Sequence, residues 1–190
     1  MAERLLTYCR LLAAGAGGLR PSWREGLRIF CGATLGMGLL AFLALNAAAP
    51  VLVASFGASA CLIFVVPCGP FSRPRNVIGG HVVAAATGVA VAQTLGCTWY
   101  GVALAVSGAI VFMLYSGTLH PPAAATALIA VLGNQGLLFP LVPVAVGAAV
   151  LAAAGAAFNR LTGAAAPAAG QAKAGEEKGG VHKPFAGSRA

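Results

Sequence analysis

The sequence predicts an all-α fold, a polytopic transmembrane helical bundle, and three observations carry that prediction. Charged residues make up 8% of the 190-residue chain and apolar ones 59%, whereas a soluble domain carries about a quarter charged residues. The apolar residues fall in long runs separated by polar, Pro-rich or Arg-containing breaks, the pattern of helices that cross a membrane several times. The 26 glycines fit as well, because helices in lipid associate through small residues rather than through hydrophobic drive.

Along the chain, residues 1–26 read as a cytoplasmic or interfacial N-terminal segment. MAERLLTYCRLLAAGAGG sets Arg4 and Arg10 among leucines, which suits a short interfacial helix and not the layout of a signal peptide. The transmembrane domain spans 27–160 and holds six apolar segments, at 27–46, 51–66, 78–95, 100–118, 121–133 and 137–158. The first, fourth and sixth have about 20 residues, enough for about 30 Å of helix. The second and fifth are short for a simple span. Residues 161–190, rich in Ala, Gly and Lys and holding His182, read as a disordered cytoplasmic tail.

Charge predicts the topology. Arg4, Arg10, Arg20, Arg24 and Arg28 precede the first segment or open it, Arg73 and Arg75 lie between the second and third, and Arg160, Lys173, Lys178, Lys183 and Arg189 follow the sixth. If all three groups are cytoplasmic, an even number of crossings separates each from the next, which requires both short segments to span. Six crossings divide into two three-segment halves, and an odd number per half inverts the second against the first. Each half then has a short middle segment opening at proline (Pro50; Pro121 and Pro122), the arrangement that points to a transporter's binding site.

The formal charge of +8 raises nucleic acid as a partner. The basic residues, however, sit at the ends and in one loop without interleaved aromatics, so they read as topology signals. The four acids, Glu3, Glu25, Glu176 and Glu177, lie in the terminal regions, and there is no Asp. A membrane region without carboxylates is unsuited to Na⁺ or a cationic solute. Cys9, Cys31, Cys61, Cys68 and Cys97 form no CxxC and lie at no metal-ligand spacing from a histidine; small core hydrophobes are the expectation. No nucleophile–base–acid set is visible, and no catalytic residue, metal or cofactor is expected.

Ser55, Gly57 and Ser59 interrupt VLVASFGASACLIFVVP at 51–67. Two readings stand: the serines back-bond to their own helix, or the helix breaks there and its N–H groups and hydroxyls face a solute. In PCGPFSRPRNVIGGH, 67–81, Arg73 and Arg75 suit a cytoplasmic connector, while Asn76 and His81 sit where the third helix begins. Thr118 and His120 open the fifth segment, where His120 either satisfies backbone groups or helps a helix start attract an anion. Cysteines aside, His81 and His120 are the neutral-range titrating side chains of the membrane region, so proton uptake at His120 would couple naturally to anion entry.

His120-Pro121-Pro122, within TLHPPAAATALIAV, resembles the signature of the HPP family of integral membrane proteins. PRNVIGGH at 74–81 and SFGASA at 55–60 resemble two further recurrent blocks, so the likeness runs over roughly residues 20–160. The resemblance implies a link to nitrite transport, associated with some members. That family is usually described with four membrane helices, against the six segments counted here. Glycine often follows its tripeptide, where this chain has Ala123 and Ala124. Some relatives carry nucleotide-binding regulatory domains, for which this tail is too short and polar.

The expected function is a transporter or channel for a small inorganic anion, nitrite first, with a non-transporting scaffold or assembly protein as the rival and an enzyme excluded. The expected substrate-binding set is Ser55, Gly57, Ser59, Asn76, His81, Thr118 and His120, with Arg73 and Arg75 raising anion concentration at the mouth. The expected setting is a bacterial inner (plasma) membrane with cytoplasmic termini. GATLG at 32–36 supplies a Gly-xxx-Gly face that could serve helix packing or a homo-oligomer.

Overall fold

The computed structural model describes residues 22–46 and 53–164. The expectations for the N-terminal segment before residue 22, for Cys9, for Pro50 and for the tail with His182 lie outside the described residues.

Among the described residues six α-helices occupy the six predicted segments, and there is no strand. They are α1 (Trp23–Asn46), α2 (Ser55–Val65), α3 (Pro74–Leu95), α4 (Trp99–Tyr115), α5 (Ala124–Leu132) and α6 (Val146–Leu161). Proline punctuates three of the starts, since a residue without an N–H costs a first turn nothing. Pro70–Ser72 form a 3₁₀ turn ahead of α3, Pro74 opens α3 itself, and Pro121–Ala123 form a 3₁₀ turn ahead of α5. Pro140–Ala145 make a π-helical turn leading into α6. The start of α4 uses a side-chain cap, the Thr98 hydroxyl accepting from Gly101 N–H at 3.1 Å.

Among the described residues three stretches are long and apolar enough to cross a membrane, at 23–46, 74–95 and 140–161, and the other helices are shorter. The third segment is thus longer than its hydropathy suggested, because its polar opening at Pro74–Asn76 is helical too. The fourth is shorter, at 17 residues.

Successive helices run in alternate directions, and a set of polar contacts gathers their basic ends. Arg28, in the second turn of α1, donates from Nη1 to Asn159 Oδ1 of α6 at 3.1 Å and from Nη2 to the Phe64 carbonyl of α2 at 2.9 Å. Asn159 Nδ2 donates to the Ile63 carbonyl at 2.9 Å, and Ser72 Oγ lies within hydrogen-bond distance of the Leu62 and Val66 carbonyls. Residues from three other parts of the chain therefore cap the last carbonyls of α2, groups that no helix can satisfy internally. Glu25 supplies the counter-charge, its carboxylate 2.6 Å from Arg28 Nη2. The start of α1, the end of α2, the start of α3 and the end of α6 therefore share one end of the bundle. That is the grouping the arginine distribution predicted.

The interior is built from small residues. Gly32 and Gly36 of α1 are buried against Phe64 of α2 and against Phe158 and Leu151 of α6, so the Gly-xxx-Gly face joins helices within this chain. A Cβ on Gly88 of α3 would lie 2.6 Å from the Ala127 carbonyl oxygen of α5; α3 and α5 touch backbone to backbone there. The cysteine expectation needs correction. Cys31, Cys61, Cys68 and Cys97 are all exposed on the outside of the bundle rather than packed in its core. In a membrane bundle the outer surface is itself apolar, so sequence hydropathy does not separate the two locations.

Candidate functional site

In the interior of the bundle α2, α3, α5 and the segment before α5 converge on a cluster of polar side chains. Ser55 and Ser59 are one helical turn apart on the inner face of α2, His81 comes from α3, His120 from the segment before α5 and Thr126 from α5. All five are buried, Ser55 at 4% exposure and the rest at 0%.

Glycine brings His120 to this place. A Cβ on Gly79 would meet the Thr118 side chain at 2.7 Å, and one on Gly80 would meet His120 Cβ and the Thr118 carbonyl at 2.8 Å. The pair in NVIGGH therefore lets the extended segment 118–120 lie flat on α3. Asn76 Nδ2 donates to the Leu119 carbonyl at 3.0 Å and fixes the register, while Thr118 Oγ1 bonds Ser116 Oγ at 2.7 Å. Asn76 and Thr118 are thus positioning residues.

The rings of His81 and His120 lie 5.2 Å apart, bridged by one hydroxyl. Ser59 Oγ is 2.8 Å from His81 Nε2 and 2.9 Å from His120 Nε2. His81 Nδ1 is 2.7 Å from Thr126 Oγ1, which is 2.8 Å from Ser55 Oγ. His120 Nδ1 is 2.7 Å from the Phe71 carbonyl oxygen. Phe56 stands edge-on to His81, ring centroids 4.9 Å apart.

The protons in this series follow from donor and acceptor capacity. Glu25 is the sole acid among the described residues and is engaged by Arg28, so both buried rings are neutral. A carbonyl only accepts, so His120 Nδ1–H donates to Phe71 and His120 Nε2 accepts. Its donor is Ser59 O–H, which has one proton. His81 Nε2–H must then donate to Ser59, leaving His81 Nδ1 to accept from Thr126, whose oxygen accepts from Ser55. The series has one direction, from Ser55 to Phe71, with every link made. No buried side-chain N or O among the described residues lacks a partner.

Two sequence expectations about this region do not hold. The helix is unbroken through Ser55, Gly57 and Ser59, and Gly57 lies on the opposite, exposed face with nothing within 4 Å of a Cβ placed on it. The helix starts are also not free to hold an anion. Phe56 and Gly57 N–H donate to Val53 and Ala54, Ala123 N–H donates to the His120 carbonyl, and Pro121 and Pro122 have no N–H to give. The serines bond to histidine and threonine, so neither simple back-bonding nor an interrupted helix describes them. Ser59 does approach the Ser55 carbonyl at 3.3 Å, but its single proton already goes to His120.

Cationic charge gathers nearby. A cavity of about 230 Å³ at the basic end is lined by Ser72, Arg73, Pro74, Asn159 and Arg160 among others, with the positive end of α3 opening onto it. Arg73 and Arg160 both line this cavity. Arg75 turns elsewhere, its Nη2 3.4 Å from the Ser116 carbonyl.

Thr126, Arg28 and Asn159 were missed by sequence reasoning. Thr126 did leave a signal, as the single polar side chain in PPAAATALIAVLG. Asn159 left little, since a lone amide beside Arg160 reads as the end of a span.

The HPP transmembrane region matches residues 19–167. One transmembrane protein of Dictyostelium discoideum is 43% identical over 116 residues, covering 57% of this chain and 41% of that protein. A second from the same organism is 45% identical over 104 residues, covering 50% of this chain and 33% of its own length. The matched part is thus less than half of either relative. No solved structure matches. The bundle of described helices, the buried His120 ahead of its proline pair and a family match over most of the chain lead to one conclusion: this chain belongs to the HPP family of integral membrane proteins.

Proposed function

We propose that the chain is a transporter or channel for a small inorganic anion, with nitrite the leading candidate. The observation that carries the reading is the cationic cavity. It lies at the end of the bundle where the arginines gather, with Arg73, Arg160, Ser72 and the start of α3 on its wall. The Phe71 carbonyl that receives His120 Nδ1–H belongs to the residue before Ser72, so one residue separates the end of the buried polar series from the lining of the cavity. An anion is held well by the guanidinium groups of Arg73 and Arg160, and no described carboxylate lines the cavity beside them. In this reading the buried serines and histidines control passage rather than ligate the ion in the conformation described.

The same proposal includes six crossings, two inverted halves, cytoplasmic termini and a bacterial inner membrane. The alternating helix directions and the shared basic end support the crossings.

The test is flux of nitrite, nitrate, formate and chloride into liposomes containing the purified full chain, with empty vesicles subtracted to remove free nitrous acid. The double variant Arg73→Gln with Arg160→Gln should lower anion flux severalfold. Wild-type protein that moves none of the four anions would point instead to a scaffold.

A further inference from the structure

A second cavity, of about 410 Å³, lies at the other end of α2. Val53 and Ala54, the two residues before Ser55, line it, together with Phe139, Val142 and Pro143. The 11-residue α2 therefore runs from one cavity to the other, a separation of about 16 Å. The directional series of hydroxyls and imidazoles runs along that interval, from Ser55, which follows Ala54 of the second cavity's wall, to Phe71, which precedes Ser72 of the cationic one's.

We propose that this chain conducts protons between the two cavities along Ser55, Thr126, His81, Ser59 and His120, and that this path is the coupling element of the anion transport on which the inference rests. Each link lies between 2.7 and 2.9 Å, short enough for proton transfer without movement of heavy atoms. A proton from the second cavity's side is taken by Ser55 Oγ in one concerted shift that ends on His81, with no protonated hydroxyl as a resting point. The Ser55 proton passes to Thr126 Oγ1 and the Thr126 proton to His81 Nδ1, making His81 an imidazolium. His81 then gives its Nε2 proton to Ser59 Oγ while the Ser59 proton passes to His120 Nε2. His81 is left neutral, protonated on Nδ1, and His120 carries the charge. In the last step the His120–Phe71 contact, 2.7 Å in the resting structure, opens toward the cavity at Ser72, and His120 releases its Nδ1 proton there to water or to the basic form of the anion. Bonds made and broken balance at each atom, and one proton has crossed.

After that passage His120 Nδ1 is bare opposite the Phe71 carbonyl, two acceptors face to face. The series therefore relaxes back to its resting direction by rotation of the hydroxyls and exchange of imidazole tautomers. That bias makes Phe71 the element that sets the resting polarity. The elements packed around the series bring no other titratable side chain to it among the described residues. Cys61 is exposed on α2, Arg73 lines the cavity and Arg75 reaches Ser116.

The discriminating variants are Thr126→Val, which keeps the shape and removes the link, and Thr126→Ser, which keeps the hydroxyl. Full-length protein is placed in liposomes holding a pH-sensitive dye under a potassium diffusion potential, and proton and nitrite flux are read separately. Thr126→Val should lower proton flux at least about tenfold, the scale on which one positioned proton carrier acts, while Thr126→Ser stays within about threefold of wild type. Thr126→Val protein that conducts protons as wild type does, with nitrite flux intact, overturns the relay and leaves the transporter reading standing. Proton flux that needs the Thr126 hydroxyl, without any anion flux, upholds the relay and overturns the transporter reading. Absence of both fluxes in wild type overturns both. An activity-independent readout accompanies these: ¹⁵N-imidazole spectra of the resting protein should show opposite tautomers, Nε2–H on His81 and Nδ1–H on His120. The same tautomer on both rings, or a charged ring at neutral pH, breaks the series and overturns the proposal.

Discussion

Ser59→Ala tests whether the two histidines are truly joined through one hydroxyl. The change leaves His81 Nε2–H without an acceptor and His120 Nε2 without a donor, contacts now made at 2.8 and 2.9 Å. In a water-soluble protein each orphaned buried group would cost about 1–3 kcal/mol, so about 2–6 for the pair. In a bilayer the unfolded reference still consists of inserted helices that find other partners. Single interhelical hydrogen bonds there average about 0.6 kcal/mol, with a ceiling of about 1.7. Two such bonds give about 1.2, rising to about 3.4. The bilayer scale governs, because freed serine can return to the Ser55 carbonyl 3.3 Å away. Ser59→Ala should therefore destabilise by about 1–3 kcal/mol, measured by SDS-titrated unfolding in mixed micelles followed by far-UV circular dichroism. Had Ser59 only bonded back to its own helix, alanine would be neutral or slightly stabilising. A change within about 0.3 kcal/mol of zero would refute the bridge and, with it, the proton assignment built on it.

Gly88→Val should abolish a monodisperse fold on gel filtration, because even its Cβ would meet the Ala127 carbonyl at 2.6 Å. Gly57→Ala, on the open face, should instead raise thermal stability, by up to about 1 kcal/mol from helix propensity alone. Arg28→Met should cost about 2–3 kcal/mol in the same unfolding titration, since charge-assisted bonds to Asn159 and the Phe64 carbonyl vanish together. Arg28→Lys should recover only part of this, because an ammonium cannot reach both acceptors and Glu25 with one planar fork. Topology can be read with native thiols. Cys68 lies near Ala164, its Sγ 3.5 Å from that carbonyl, and Cys97 follows the far end of α3. In intact cells an impermeant maleimide should label a variant retaining only Cys97 and spare one retaining only Cys68; the reverse pattern would invert the proposed orientation.

The sequence by itself determined the solvent, the number of helices and which of their ends lie together. Those properties depend on local sums: about 20 apolar residues match a hydrocarbon thickness wherever they pack, and arginines mark chain ends without reference to tertiary contacts. It also supplied four of the five members of the buried series, because a hydroxyl or imidazole inside an apolar run is conspicuous whatever surrounds it. Their wiring was not legible. Ser59 meets His81 and His120 from 22 and 61 positions away, and nothing in the spacing says that one hydroxyl will serve two rings. Whether Gly57 faces in or out, whether a cysteine lies in the core or on the lipid face, and whether a helix-start N–H is free all depend on helix rotation. That rotation is set by close contacts such as Gly79 and Gly80 beneath Thr118 and His120. Thr126 marks the limit clearly: the run around it shows one polar residue, and only the packing of α5 on α3 makes that residue the donor to His81.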